Sequence, residues 1–105
     1  MPRQAPAHLS KPSAAWWRRV VGTYDLEEHH ERLLTLAAEA FDRAQEARVR
    51  LMEDGAFYTD RHGAPRAHPG IGVERDARLA FARLIRELDL DGEPMPNPRP
   101  PRRSS

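Results

Sequence analysis

Residues 25–54 read DLEEHHERLLTLAAEAFDRAQEARVRLMED and carry the strongest structural signal in the chain. Asp25 and Glu28 have the spacing of a capping box, and Gly55 is the residue type expected just past a helix end. Between them, apolar residues recur at alternating steps of four and three, the spacing of a coiled-coil seam. The row consists of Leu26, His30 (a polar interruption), Leu33, Ala37, Ala40, Ala44, Ala47 and Leu51. The stretch therefore predicts a single helix of about 45 Å.

A helix of this length exceeds what a small chain covers with its own residues. A protein of 105 residues forms a domain only about 30 Å across. It contains no cysteine, so neither disulfides nor thiolate zinc sites stabilise it. We therefore expect further copies of the chain to cover the helix, with the alanines allowing close approach. The predicted oligomer interface consists of Leu33, Ala37, Ala40, Phe41 and Ala44.

The remaining sequence arranges shorter elements around this helix. Prolines predict a disordered basic arm over residues 1–12, followed by a short helix over about 13–21 whose two tryptophans pack on the long helix. Residues 55–70 predict a β-ribbon-like loop with a turn at Gly63, and the next helix ends near Asp89. Residues 91–105 form a Pro/Arg-rich tail. The predicted fold is all-α: a short N-terminal helix and a long antiparallel helical hairpin over residues 13–90.

The net charge of +1 conceals a strong asymmetry along the chain. Neither the first 22 residues nor the last seven contain an acidic residue, so every acidic residue lies between these two basic ends. The basic residues of the two ends are Arg3, Lys11, Arg18, Arg19, Arg99, Arg102 and Arg103. Such ends suit a polyanion or an acidic protein surface. Solubility, or neutralisation of a neighbouring subunit, is the alternative explanation.

Catalytic and cofactor chemistry finds no support in the sequence. Lys11 is the only lysine and has no glycine near it, so a phosphate-binding loop is excluded, and no Gly-x-Ser-x-Gly motif is present. The adjacent His29 and His30 point about 100° apart on a helix and are not expected to share an ion. His62 and His68 lack a third ligand at a supporting spacing. We predict no enzyme activity, no metal, no cofactor and no small-molecule substrate.

Membrane insertion finds no support either. No apolar run approaches the roughly 18 residues that a spanning helix requires, and the N-terminus lacks a signal-peptide core. The sequence therefore predicts a protein without a membrane role.

Several short motifs, in order and spacing, resemble one known family. They are Trp17-Arg-Arg-Val-Val-Gly-Thr-Tyr-Asp-Leu26, Leu33-Leu34, Ala37, Asp42, Gly55, Gly63, His68-Pro69 and Arg83-Leu-Ile-Arg-Glu-Leu-Asp-Leu90. Together they span residues 16–90 and resemble the small subunit of terminases from tailed phages and prophages. One departure is Asp89, where the family usually has glycine, which bears on the end of the last helix.

The resemblance implies a non-catalytic factor that packages viral DNA. Such subunits form homo-oligomeric rings in the host bacterial cytoplasm, engage double-stranded DNA and deliver it to a large subunit with ATPase and nuclease activity. The expected phosphate contacts are Arg3, Lys11, Arg18 and Arg19, followed by Arg61 and Arg66 of the loop. The tail residues Arg99, Arg102 and Arg103 are expected to bind the large subunit or DNA.

A different class of protein fits the same pattern. In a small coiled-coil adaptor, the seam would close a two-fold helix bundle, and the arginines would only solvate the surface. The alternatives differ in whether Arg18 and Arg19 hold DNA.

Overall fold

The computed structural model describes residues 4–90, most of which lie in three helices. Helix α1 spans Lys11–Thr23, α2 spans Glu28–Asp54 and α3 spans Pro69–Leu88. Strands β1 (Phe57–Thr59) and β2 (Pro65–Ala67) lie between α2 and α3. The prediction of a mostly helical protein with one small two-stranded element is confirmed.

Helix α2 begins later than the sequence suggested. Residues Tyr24 and Glu27 are extended, because the chain must reverse direction after α1. Glu27, rather than Asp25, is the N-cap, and its backbone N–H donates to Nδ1 of His30 at 3.4 Å. The C-terminal end is as predicted: Gly55 follows the helix, and its N–H donates to the Leu51 carbonyl at 2.8 Å. The helix is about 40 Å long.

Gly55 has backbone angles that glycine alone adopts easily, φ 86° and ψ 151°. We expect Gly55→Ala to lower the free energy of unfolding by about 2 kcal/mol. The matched control is Gly22→Ala, because Gly22 lies within α1 and a Cβ there would meet no atom within 4 Å beyond its chain neighbours and the backbone of its own helix. That change should stabilise by about 0.5–1 kcal/mol, since alanine favours helix. Urea unfolding of both variants checks the prediction, and a loss of stability in both would contradict it.

Residues of the segment before α1 contact α2, whereas the sequence predicts a disordered arm over residues 1–12. Leu9 is only 8% exposed, and Ser10 caps α1 by accepting the N–H of Ser13. Asp42 of α2 accepts three hydrogen bonds here, from the backbone N–H and Oγ of Ser10 (2.8 and 2.6 Å) and from Oγ of Ser13 (2.7 Å). This side-chain anchor on α2 holds a segment whose prolines alone suggest an unfolded arm.

Helix α1 contributes its apolar side to the main core. Trp17 is 3% exposed, and its indole N–H donates to Oγ1 of Thr35 at 3.1 Å. Trp16 contacts Phe81 of α3, with the ring centroids 6.0 Å apart. Trp17 therefore packs on the long helix as predicted, whereas the ring contact of Trp16 is with α3. The core cluster consists of Leu9, Trp17, Val20, Leu34, Ala38 and Leu88.

Helices α2 and α3 lie along each other and run in opposite directions. His68 contacts Asp54, Arg48 contacts Glu74, and Phe41 contacts Phe81. Successive residues of α3 therefore meet earlier and earlier residues of α2. The entry to α3 is fixed by His68, whose Nδ1 accepts the N–H of Gly70 at 2.8 Å while Nε2 lies 2.9 Å from the Asp54 carboxylate. The His68-Pro69 pair therefore sets the start of this helix.

The two strands form an antiparallel ribbon with Phe57 opposite Ala67 and Thr59 opposite Pro65. Asp60 holds the turn. Its carboxylate accepts the Arg66 guanidinium and the backbone N–H groups of Ala64 and His62, each at 2.9 Å. The hydrogen bonds from Arg66, Ala64 and His62 keep the pKa of Asp60 below its usual 3.8. Gly63 has φ 82°, as its predicted turn position requires.

Candidate nucleic-acid interface

Helix α1 presents a basic face to solvent. Lys11, Arg18 and Arg19 are all exposed, whereas the opposite side of the helix, with Trp17 and Val20, is buried. Lys11 and Arg18 are seven residues apart, which is about 10 Å along the helix. A helix lying parallel to the axis of B-DNA would pass about three phosphates of one strand over that length, since each phosphate advances about 3.4 Å along the axis. The basic face therefore has a spacing that suits a phosphate backbone.

None of the three cations is neutralised by a carboxylate from residues 4–90. Most other arginines differ in this respect: Arg32 pairs with Glu28 at 3.0 Å, and Arg78 with Glu74 at 3.4 Å. An unpaired surface cation contributes little to folding but keeps its full charge for a ligand.

Two arginines of α3, for which the sequence predicts no DNA role, are further candidates for contact with DNA. Arg83 and Arg86 are exposed and also have no carboxylate partner within the described segment. Helix α1 runs beside α3 in the same direction, because Trp16 meets Phe81 and the Tyr24 hydroxyl donates to the Leu90 carbonyl at 3.0 Å. Arg83 and Arg86 therefore lie at the level of Arg18 and Arg19. In the sequence, Glu87 follows Arg83 by four residues, which is the spacing of an ion pair along a helix, yet the two side chains do not form one.

The loop arginines differ from each other. Arg66 forms an ion pair with Asp60 at 2.9 Å and thereby stabilises the turn, so part of its charge is already neutralised. Arg61 is exposed, and its Nε lies 3.3 Å from Nε2 of His62. The loop also lies beyond the far end of α2, away from α1. The structure thus separates Arg61 and Arg66 from the basic face of α1.

The residues predicted to form the oligomer interface are largely used within the chain. Ala37 is 0% exposed and Ala44 6%, and the element that packs most extensively on α2 is α3 of the same chain. They offer no free surface to a second copy, which corrects the expectation that they line a seam between subunits. Leu33 packs against the core cluster, and Ala40 is half-buried. Only Phe41, at 41% exposure, retains substantial apolar surface.

Apolar surface remains on a neighbouring face of α2. Leu34 and Ala38 begin a row that α1 covers, and Phe41, Val49 and Met52 continue it at helical spacing. Since α1 begins opposite Asp42, the second half of the row lies open, with Val49 50% and Met52 75% exposed. We call Phe41, Gln45, Val49 and Met52 the open face of α2.

The histidines are arranged differently from the expectation. The rings of His29 and His30 lie 4.0 Å apart between centroids, and donor atoms of Glu27, His29 and His30 all lie within 4.8 Å of one another. The estimate of 100° between neighbouring helical positions ignored the length of the imidazoles and the extended backbone of Glu27. His62 and His68 are not brought together in any such group within residues 4–90.

Several predicted contacts lie outside the described residues: Arg3, Arg99, Arg102 and Arg103, together with the whole tail 91–105. Within residues 4–90, no helix is both long and apolar enough to cross a membrane. No family model, curated protein or solved structure matches the chain.

Proposed function

We propose that this protein is the small subunit of a phage-type terminase: a non-catalytic DNA-binding factor that assembles into a homo-oligomeric ring. In this function it engages double-stranded viral DNA in the host bacterial cytoplasm and transfers it to a large subunit that carries the ATPase and nuclease. The observation that carries the proposal is the unpaired basic face of α1, formed by Lys11, Arg18 and Arg19.

The helical hairpin of α2 and α3 supports the assembly part of the proposal. Its open face leaves Val49 and Met52 uncovered at the end of α2 that α1 does not reach. A closed ring needs two different, complementary surfaces on each copy. The open face is one candidate, and it replaces Ala37 and Ala44, which are buried within the chain.

A ring would also raise the affinity for DNA, because several copies of the chain would contact the same duplex. If each chain makes three phosphate contacts, a plot of log affinity against log salt concentration has a slope of about −2.7 for each engaged copy. Several copies on one duplex add their slopes and raise the avidity. A single chain would hold DNA only weakly at physiological salt, which suits a factor that passes its DNA on.

The experiment measures solution mass and DNA binding of the full-length protein. Light scattering at moderate salt without DNA should give one species of many copies. Titration of duplex DNA at increasing salt should then give a slope steeper than one chain provides. A monomer or dimer that binds no DNA at low salt would contradict the proposal and favour the coiled-coil adaptor.

A further inference from the structure

We propose that Glu27, His29 and His30 bind a divalent transition-metal cation of the zinc class at the start of α2. The three side chains offer one carboxylate oxygen and two imidazole nitrogens, all within 4.8 Å of one another. Nδ1 of His29 lies 3.6 Å from Oε1 of Glu27. Two histidines and a carboxylate form a donor set that Zn²⁺ accepts in proteins, with water in the fourth position.

The local backbone creates this cluster. Glu27 is the N-cap and has extended angles, φ −84° and ψ 171°, so its side chain is not carried around the helix with the others. His29 and His30 occupy the first turn, and their rings lie side by side. Because Nδ1 of His30 accepts the Glu27 N–H at 3.4 Å, His30 coordinates through Nε2 or exchanges this long hydrogen bond for the ion. Donor atoms around a tetrahedral zinc ion are about 3.3 Å apart, given metal–ligand distances of about 2.0–2.2 Å. Because Glu27 and His29 are largely exposed, side-chain rotation supplies the small remaining approach.

The surrounding charge favours a cation despite the position at a helix N-terminus. The helix dipole places about half a positive charge there, which opposes metal binding. The carboxylates of Asp25 and Glu28 lie in the same few residues as Glu27, and the next basic residue along the chain is Arg32. Arg32 is already paired with Glu28 at 3.0 Å. The local charge is therefore negative, and a bound ion would also tie the cap residue to the first turn of α2.

The test is calorimetric titration of the full-length protein, without any histidine tag, with zinc chloride at pH 7.5. We expect one ion per chain. Cobalt substitution should give the visible absorption of a site with nitrogen and oxygen ligands. Imidazole coordinates only when neutral, so acidification to pH 5 should release the ion.

The variants separate this site from ordinary surface binding. His29→Ala and Glu27→Gln should each weaken zinc binding at least about tenfold. Mutation of residues that only hydrogen-bond to the ligands of a metal site already lowers metal affinity by that factor. The matched control is His8→Ala, which also removes a histidine beside a carboxylate: Nε2 of His8 lies 2.7 Å from Oε2 of Glu39. This control should bind zinc like the parent.

Absence of saturable binding, or an equal loss in the control, would overturn the proposal. His29 is 66% exposed, so its replacement leaves the fold intact, and identical metal-free melting curves verify this. The outcome is independent of DNA binding and ring formation.

Discussion

Replacing Asp42 with alanine is expected to lower the free energy of unfolding by about 3 kcal/mol. Its carboxylate accepts hydrogen bonds from the backbone N–H and Oγ of Ser10 and from Oγ of Ser13. Ser13 is 3% exposed, so alanine at position 42 leaves a buried hydroxyl without its acceptor. Hydrogen bonds to a charged group contribute about 1.5–3 kcal/mol, and an orphaned buried group costs about 1–3 kcal/mol. Thermal unfolding should shift by more than about 10 °C in a domain of this size.

Two control variants separate the anchor from a general effect of removing acid. Glu46→Ala removes an exposed carboxylate one turn further along α2 and should change stability by less than about 0.5 kcal/mol. Asp42→Asn keeps the size and one acceptor oxygen, so it should fall between the parent and Asp42→Ala. Equal stability of Asp42→Ala and Glu46→Ala would contradict the anchoring role.

The same carboxylate makes the anchor sensitive to acid. Burial raises the pKa of Asp42, but the hydrogen bonds from Ser10 and Ser13 outweigh it and hold the pKa below the usual 3.8. A carboxyl group with a lowered pKa in the folded state stabilises the fold at neutral pH, and this contribution is lost as pH falls through the folded value. The stability difference between the parent and Asp42→Ala should therefore be constant near pH 6–7 and shrink below about pH 4.

The double variant Arg18→Ala/Arg19→Ala is expected to lose retention of duplex DNA at low salt while its solution mass stays that of the parent. Both side chains are exposed and unpaired, so their removal leaves the core untouched. Each lost phosphate contact reduces the salt slope by about 1. We expect an affinity loss of at least about tenfold for each engaged copy. Fluorescence anisotropy with labelled duplex at several salt concentrations gives both quantities.

The matched control removes two arginines that each have a carboxylate partner. Arg75 pairs with Asp76 at 3.3 Å and Arg78 with Glu74 at 3.4 Å, so Arg75→Ala/Arg78→Ala should alter the slope little. A third variant, Arg83→Ala/Arg86→Ala, tests whether α3 extends the basic face. If Arg18→Ala/Arg19→Ala binds DNA as tightly as the parent, the assignment of α1 to DNA is wrong.

The helices and the ribbon could be predicted because their signals are local. Gly55 ends α2, Gly63 supplies the turn and His68-Pro69 begins α3, and each position depends mainly on neighbouring residues. The sequence places the start of α2 three residues too early, at Asp25 instead of Glu28, because Asp25 and Glu27 both precede suitable capping partners. Only the need to reverse the chain after α1 decides between them.

The less accurate predictions concern contacts between distant residues. The alanine seam suits a partner helix from another chain or from the same chain equally well, and α3 takes that place at Ala37 and Ala44. The order of residues 4–10 depends on Asp42, more than 30 positions away. The pairing of cations is equally hard to predict. Arg83 has no carboxylate partner within residues 4–90, although Glu87 stands four residues after it, whereas Arg66 pairs with Asp60 across the turn.

The length of α2 has a thermodynamic consequence for how the protein could evolve. Trp17 of α1 meets Thr35, whereas Val49 of the open face lies fourteen residues further along, about 21 Å away. Sites so far apart contribute almost additively to free energy. A double-mutant cycle between Arg18 and Val49 should therefore give near-zero coupling in a single chain. Substitutions can then change the charge of the α1 basic face and the apolar surface of the open face of α2 independently of each other.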